Sequence, residues 1–174
     1  FAINGTSWRS WRDYSGGGMT DWGAHRFGGA MFAVGLGHEG PVEVIPPDGK
    51  DVKDLTYVFA NGIRMYRGKA PKGGGRRQAD ITVFSTDEKI PAKPMPGYHG
   101  DRDIHGDFLT CVKTRQRPFQ DVEVAHRSAT VCHLGNIAYE LKRPLKWDPA
   151  KEEFPGDEQA NRFVSRANRE PWAL

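Results

Sequence analysis

The stretch Leu55-Thr-Tyr-Val-Phe-Ala-Asn-Gly-Ile-Arg-Met-Tyr66 decides the fold, because it predicts an antiparallel β-hairpin. Residues of high strand propensity flank Asn61-Gly62, a dipeptide that strongly favours a tight hairpin turn. Short strands are also predicted at residues 41–45 and 81–84, where apolar and polar side chains alternate. Strands gathered in one part of the chain favour an antiparallel sheet.

Helical periodicity is found on both sides of this strand-rich region. The predicted helices cover residues 19–34, 103–115 and 121–141, a short strand follows at 145–147, and Asp157 is predicted to cap a last helix. The candidate buried positions include Trp22, Phe27, Met31, Val34, Ala160, Phe163 and Val164, and the second helix is predicted to carry Phe108, Leu109 and Val112 on one side. Strands in one region and helices elsewhere predict an α+β fold: a mostly antiparallel open sheet with helices on one face.

Composition is consistent with one domain over residues 1–174. The net charge of +3 gives no reason to expect a nucleic-acid partner, and no apolar run is long enough to expect a membrane span. Cys111 and Cys132 lie in apolar helical patterns, so both are predicted to be buried free thiols. Residues 1–14 are expected to be extended, residues 69–78 to form a basic glycine-rich loop, and residues 90–100 to be irregular.

The segment Ser15-Gly-Gly-Gly-Met-Thr-Asp-Trp-Gly-Ala-His25 places an acid and an imidazole four residues apart, directly after three glycines. On a helix, Asp21 and His25 would lie on one face, one turn apart. A carboxylate beside an imidazole can fix its tautomer and raise its basicity, as a general base requires. A helix cap next to a surface histidine has the same spacing, and the motif alone does not separate the two interpretations.

The same segment resembles the motif near the start of the C-terminal domain in the Gfo/Idh/MocA oxidoreductases. Later segments resemble the bacterial-type branch of that family: His133-Leu-Gly-Asn-Ile-Ala-Tyr139, Arg143-Pro-Leu-Lys-Trp-Asp-Pro149, Asp157-Glu-Gln-Ala-Asn161 and Arg169-Glu-Pro-Trp-Ala-Leu174. The chain departs from the family pattern at Gly28, where the family usually has an acid.

The resemblance implies the substrate-binding and oligomerisation domain of an NAD(P)-dependent oxidoreductase that transfers hydride to or from a sugar, inositol or related polyol. It makes His25 the candidate base and Asp21 its orienting partner or a ligand of a substrate hydroxyl. Arg12, Tyr14 and Trp22 flank the motif, and guanidinium and aromatic groups suit polyols, so they are candidate substrate contacts; core packing is an equal alternative for Trp22. NAD or NADP would be bound mainly by a domain upstream of this chain.

Two other functions remain open at this point. One is a non-catalytic carbohydrate-binding or assembly module; the other is a glycoside-cleaving relative that uses bound NAD for transient oxidation. These share one scaffold, so the fold does not choose between them. The compartment, cytoplasmic or periplasmic, is also left open.

Two further site types are judged on spacing. Gly35-Leu-Gly-His-Glu-Gly40 satisfies a dinucleotide-binding pattern, but it follows a predicted helix and precedes a predicted strand, so we interpret it as a turn. The six histidines form no trusted metal-ligand spacing with acids or cysteines, so no metal site is expected.

The sheet is also the expected contact between subunits. Helices can cover one face, and the other would carry Tyr57, Phe59, Ile63 and Met65, or their alternates Val58, Arg64 and Tyr66. An apolar sheet face would mark an interface, and the resembling family pairs subunits there, so a homodimer or homotetramer is expected. The alternative is a sheet face covered by the loops at residues 69–78 and 90–100.

Overall fold

The computed structural model describes residues 8–68, 76–78, 81–85, 99, 103–168 and 170–171. The described residues form six strands: β1 Pro41–Ile45, β2 Leu55–Phe59, β3 Ile63–Arg67, β4 Arg76–Gln78, β5 Ile81–Ser85 and β6 Leu145–Lys146. The α-helices are α1 Trp22–Ala33, α2 Ile104–Thr114, α3 Val122–Leu141 and α4 Glu158–Asn161. Within these ranges, no helix is both long enough and apolar enough to cross a bilayer.

The strands form one antiparallel sheet in the order β4-β5-β3-β2-β1-β6. The predicted hairpin is confirmed as β2 and β3, with Tyr57 opposite Met65. At its turn Gly62 has a φ of 84°, and the Asn61 side chain accepts a hydrogen bond from the Ile63 N–H at 3.1 Å. Glycine adopts this left-handed backbone without the steric cost of a side chain.

One face of the sheet is covered by α1 and α3. Tyr57, Phe59, Ile63 and Met65 point to that side and are buried, whereas Val58 and Tyr66 are half-buried and Arg64 is exposed. The set that begins with Tyr57 therefore forms the core face of the hairpin. The alternate set, Val58, Arg64 and Tyr66, forms the face away from the helices. The α+β fold predicted from the sequence is confirmed.

The helix starts follow from local side-chain chemistry. Asp121 accepts a hydrogen bond from the Val124 N–H at 3.1 Å at the start of α3, and Asp157 accepts one from the Ala160 N–H at 3.0 Å at the start of α4. Both carboxylates satisfy backbone donors that have no partner inside the helix. The cap predicted at Asp157 is confirmed, as is the burial of Cys132, which raises the pKa of its thiol to about 12.

Several sequence-based expectations are wrong. The part of residues 1–14 that is described, from Trp8 onward, forms a 3-10 turn and further turns rather than an extended strand. Trp22 is 65% exposed because it begins α1 on the side away from the core. The described end of the loop expected at residues 69–78 is strand β4. Of residues 90–100, only His99 is described, so the rest of that prediction lies outside the described residues.

Helix α2 is amphipathic as predicted, and its apolar side faces solvent. Its buried positions are Asp107 and Cys111, whereas Phe108, Leu109 and Val112 are 58%, 57% and 48% exposed. Val164, expected to face inward, is exposed, while Ala160 is buried and Phe163 packs against the core. Apolar periodicity identifies a helical face but does not identify what covers it.

Helix α3 approaches the sheet most closely at Gly135. A Cβ atom at this position would overlap the Tyr57 hydroxyl and lie 3.0 Å from Leu55 Cδ2. We expect Gly135→Ala to lower the free energy of unfolding by about 1–3 kcal/mol, because overpacking outweighs the better helix propensity of alanine. Urea denaturation of the single variant measures this cost.

A second background tests the cause. Tyr57→Phe removes the oxygen that the new Cβ would meet, so Gly135→Ala should cost less in that background. Gly18→Ala is the matched control, because a Cβ at Gly18 meets nothing within 4 Å. Equal costs for Gly135→Ala with Tyr57 and with phenylalanine at that position would contradict the packing explanation.

Candidate functional site

The glycine-rich segment before α1 is a series of tight turns. Its second 3-10 turn covers Gly17–Met19, and Gly17 has a φ of 69°. The Gly17 N–H donates to Ser15 Oγ at 3.1 Å, and the Asp21 N–H donates to the Gly17 carbonyl at 3.0 Å. These short-range bonds give the segment a defined path into the first turn of α1.

Helix α3 anchors this segment. Asn136 Nδ2 donates to the Gly16 carbonyl at 2.8 Å, and Met19 is buried in the core at 6% exposure. One polar and one apolar contact therefore hold the glycine turn and the start of α1 against the scaffold. A site at this helix end is supported by elements that are themselves packed.

Trp22 and His25 lie together at the exposed start of α1. Their ring centroids are 6.0 Å apart, and the Arg26 guanidinium lies 5.9 Å from the Trp22 ring. Among the described residues, the His25 imidazole makes no hydrogen bond. An exposed imidazole beside an exposed indole can reach a ligand in solution.

Asp21 occupies a different position from the one its spacing suggested. It precedes α1 as the N-cap residue, and its carboxylate pairs with Arg9 at 3.1 Å. No hydrogen bond or ion pair joins Asp21 to His25 in the part of the chain that is described. The first-turn geometry that would stack the two side chains does not form, because Asp21 has non-helical backbone angles.

Arg12 and Tyr14 line a groove of about 1610 Å³ beside this helix start. The opposite walls are α3 and the segment after α4, represented by His133, Glu140 and Arg166. Arg12 pairs with Glu140 at 3.2 Å, and Tyr14 is 73% exposed. The predicted site residues thus divide into two groups: Arg12 and Tyr14 on the groove, and Asp21, Trp22 and His25 at the start of α1, outside the groove lining.

The groove also contains polar residues that the sequence reasoning missed. His126 Nε2 lies 2.5 Å from Glu152 Oε1, and Glu152 has a left-handed φ of 57°. Desolvation, with a smaller effect of Arg166, lowers the pKa of His133. His126 and His133 are seven residues apart, and this two-turn spacing on a predicted helix could have placed both on one face.

Trp147 adds an unpaired donor. It lines the groove, and its indole N–H is buried without an acceptor among the described residues. A buried donor normally has a partner, so this N–H is a polar group of the groove that the described residues leave unsatisfied.

The described residues do not provide a dinucleotide cradle. Leu36, inside the Gly35–Gly40 pattern, is 1% exposed, and a Cβ at Gly40 would lie 2.6 Å from Pro149 Cβ. Strand β1 begins at Pro41, so no helix N-terminus follows these glycines. Packing explains the motif, and its interpretation as a helix-to-strand turn is confirmed.

Comparison with known families decides the relationship. Residues 70–174 match the family model for the C-terminal alpha/beta domain of the Gfo/Idh/MocA oxidoreductases, which is more than half of the chain. The chain belongs to the Gfo/Idh/MocA oxidoreductase family. No curated protein and no solved structure matches it significantly. Members of this family are generally NAD(P)-dependent.

The family match and the candidate site occupy different parts of the Gfo/Idh/MocA domain. The match begins at residue 70, whereas the five predicted site residues lie between Arg12 and His25. The family departure at Gly28 has a packing reason: a Cβ there would lie 3.0 Å from Ser128 Oγ on α3. A side chain at this position would require Ser128 to shift by a few tenths of an ångström.

The bond from Asn136 to Gly16 predicts a local change in stability. Asn136→Ala should remove about 1 kcal/mol of restraint on the glycine turn, and amide hydrogen exchange in residues 15–21 should then be roughly five times faster. Mass spectrometry of peptides covering this segment measures the rate.

Thr130→Ala is the matched control for this experiment. Thr130 lies on the same helix and the same groove, and its side chain has no hydrogen bond within the described part of the chain. Exchange that is equally fast in both variants would show that the Asn136 amide does not hold the turn.

Proposed function

We propose that this chain is the substrate-binding domain of an NAD(P)-dependent oxidoreductase acting on a sugar, inositol or related polyol. Membership of the Gfo/Idh/MocA family, supported by residues 70–174, is the observation that carries this proposal. The exposed Trp22–His25 pair, on a helix start fixed by the glycine turn, supports the choice of substrate.

His25 is proposed as the base that takes the proton of the reacting hydroxyl. Histidine side chains exchange protons near neutral pH, and the ring nitrogens of His25 are not engaged by another described residue. Both features are required of a group that must accept a proton from an incoming ligand. Contacts made when the substrate binds would then fix the orientation of the His25 ring.

Trp22 and Asp21 are proposed as substrate contacts beside the base. The indole is 65% exposed, and an aromatic face offers an apolar surface to the C–H groups of a sugar ring. Asp21 makes no hydrogen bond or ion pair with His25 within the described residues, so of its two expected roles we favour binding a substrate hydroxyl over orienting the imidazole. Arg12 and Tyr14 would bind hydroxyls farther along the substrate, on the groove side.

NAD or NADP would be held by residues outside the Gly35–Gly40 pattern, because Gly37 and Gly40 of that pattern pack against Val124 and Pro149. The dinucleotide supplies the redox chemistry when bound, and this chain supplies the shape and the proton acceptor. The roles of Asp21, Trp22 and His25 can therefore be tested only in the full-length protein with its cofactor.

In the full-length protein, His25→Ala should lower kcat by about 10²–10⁴-fold, the usual contribution of a positioned general base. Asp21→Asn should change KM more than kcat, because a hydroxyl ligand acts mainly on binding. Initial rates for a panel of sugars and polyols, with NAD and with NADP, measure both effects.

His38→Ala is the control, since His38 is an exposed histidine in the turn after α1. Unchanged turnover by His25→Ala across pH 6–9 would rule out the assigned base. Binding of sugar without turnover of any substrate would favour the carbohydrate-binding module, and cleavage of glycosides without net NADH formation would favour the glycoside-cleaving alternative.

We also propose that the protein is a homodimer or homotetramer through the sheet face away from α1 and α3. That face carries Val58 and Tyr66, which the helices leave only half-buried. Apolar side chains on an open sheet face are typical of subunit interfaces.

Light scattering at micromolar concentration should give a dimer or tetramer for the intact protein, and Val58→Lys should shift it toward the monomer by placing charge in the contact. Ala60→Lys adds the same charge at the exposed hairpin turn and should leave the oligomer intact. A monomeric wild-type protein would refute the proposed interface.

A further inference from the structure

Three side chains of different chemistry meet at the buried side of helix α2. A ring nitrogen of His99, a carboxylate oxygen of Asp107 and the Sγ of Cys111 all lie within 4.8 Å of one another. We call these three residues the α2 cluster. The cluster is separate from the groove, whose lining does not include them.

Two of the three residues of the α2 cluster are held in place by the helix itself. Asp107 and Cys111 are one turn apart on α2, and they are 1% and 4% exposed. Asp107 Oδ1 accepts a hydrogen bond from the His99 N–H at 2.8 Å, and Oδ2 accepts one from the Phe119 N–H at 2.7 Å. These two backbone bonds fix the plane of the carboxylate.

His99 is the third member of the α2 cluster and lies on its solvent-exposed side. Its Nδ1 lies 2.9 Å from Asp107 Oδ1, and its side chain is 35% exposed. Two ligand atoms at about 2.0 Å from a tetrahedral zinc ion are roughly 3.3 Å apart, so the His99 and Asp107 atoms need to separate by only a few tenths of an ångström.

We propose that the α2 cluster binds one divalent transition-metal ion, with Zn²⁺ as the best fit. Imidazole nitrogen, carboxylate oxygen and thiolate sulfur are the three ligand types that zinc accepts together in a tetrahedral site. Water on the exposed side of His99 would complete the coordination. The hard cations Mg²⁺ and Ca²⁺ are disfavoured by the sulfur and nitrogen ligands.

Metal binding at the α2 cluster releases a proton and involves no oxidation or reduction. The Cys111 thiol loses its proton to solvent and becomes a thiolate ligand. The neutral His99 ring carries its proton on Nε2 and presents Nδ1 to the metal. The backbone N–H groups of His99 and Phe119 continue to donate to Asp107, in the supporting role that groups around a metal site usually have.

The ion would stabilise the position of α2, whose large apolar side chains are not buried in the core. The buried side of α2 is polar, and the large side chains Phe108 and Leu109 face solvent. A metal at the α2 cluster would tie together position 99, the helix and the loop at Phe119. This role is independent of the polyol chemistry proposed for His25.

Cobalt titration of the chelator-treated full-length protein tests the site directly. The wild-type protein should bind one equivalent of Co²⁺ with the near-ultraviolet absorption of a cobalt–thiolate bond, and Zn²⁺ should displace it. Cys111→Ser should lose this absorption. His99→Asn should weaken Zn²⁺ binding by at least about 10–100-fold, the loss usual even for a supporting residue of a metal site.

Cys132→Ser is the matched control, because Cys132 is the other buried thiol of this sequence and is not in the cluster. It should keep the cobalt–thiolate absorption. Asp107→Asn is avoided, since that carboxylate also holds two backbone N–H groups and the variant could fail to fold. Lack of thiolate absorption in the wild-type protein, or its survival in Cys111→Ser, would overturn the proposal.

Discussion

The contact between β2 and α3, where Tyr57 meets Gly135, sets the position of the other elements. The Tyr57 hydroxyl donates to the Val131 carbonyl at 2.9 Å inside the core, and the missing side chain of Gly135 makes room for it. Burial raises the pKa of Tyr57 well above its usual value, so the neutral hydroxyl is the form that the core accepts. A hydroxyl in an apolar layer needs this partner, because an unpaired buried donor is costly.

The same turn of α3 connects the core to the candidate site. Gly135 faces the sheet, and the next residue, Asn136, reaches the Gly16 carbonyl. Farther along the helix, His126, His133 and Glu140 form one wall of the groove. Because one helix carries both sets of contacts, a shift of α3 on the sheet would move the glycine turn and the groove wall together.

Local chemistry made part of this fold predictable. The Asn61-Gly62 turn and the Asp121 and Asp157 caps involve atoms only a few residues apart, so their sequence patterns specify their structure. Whether a helical face is buried depends on residues far away in the sequence. For that reason the predicted burial of Trp22 and Val164 was wrong. The Arg9–Asp21 pair likewise replaces the expected Asp21–His25 contact, since a turn brings Arg9 to the start of α1.

Helix α2 shows most clearly what a sequence pattern leaves out. Its apolar stripe faces solvent, and the side that packs inward carries Asp107. An ionised carboxylate at 1% exposure is tolerable because two backbone N–H groups donate to it and the His99 ring nitrogen Nδ1 lies 2.9 Å from Oδ1. The same hydrogen bonds lower the pKa of Asp107 below its usual value, opposing the effect of burial. Spacing could not reveal this arrangement, because the two backbone donors, at His99 and Phe119, lie before and after the helix in the sequence. The burial of Asp107 therefore has two consequences. Hydrogen bonds to its carboxylate attach α2 to neighbouring segments, and the apolar stripe of the helix is exposed to solvent.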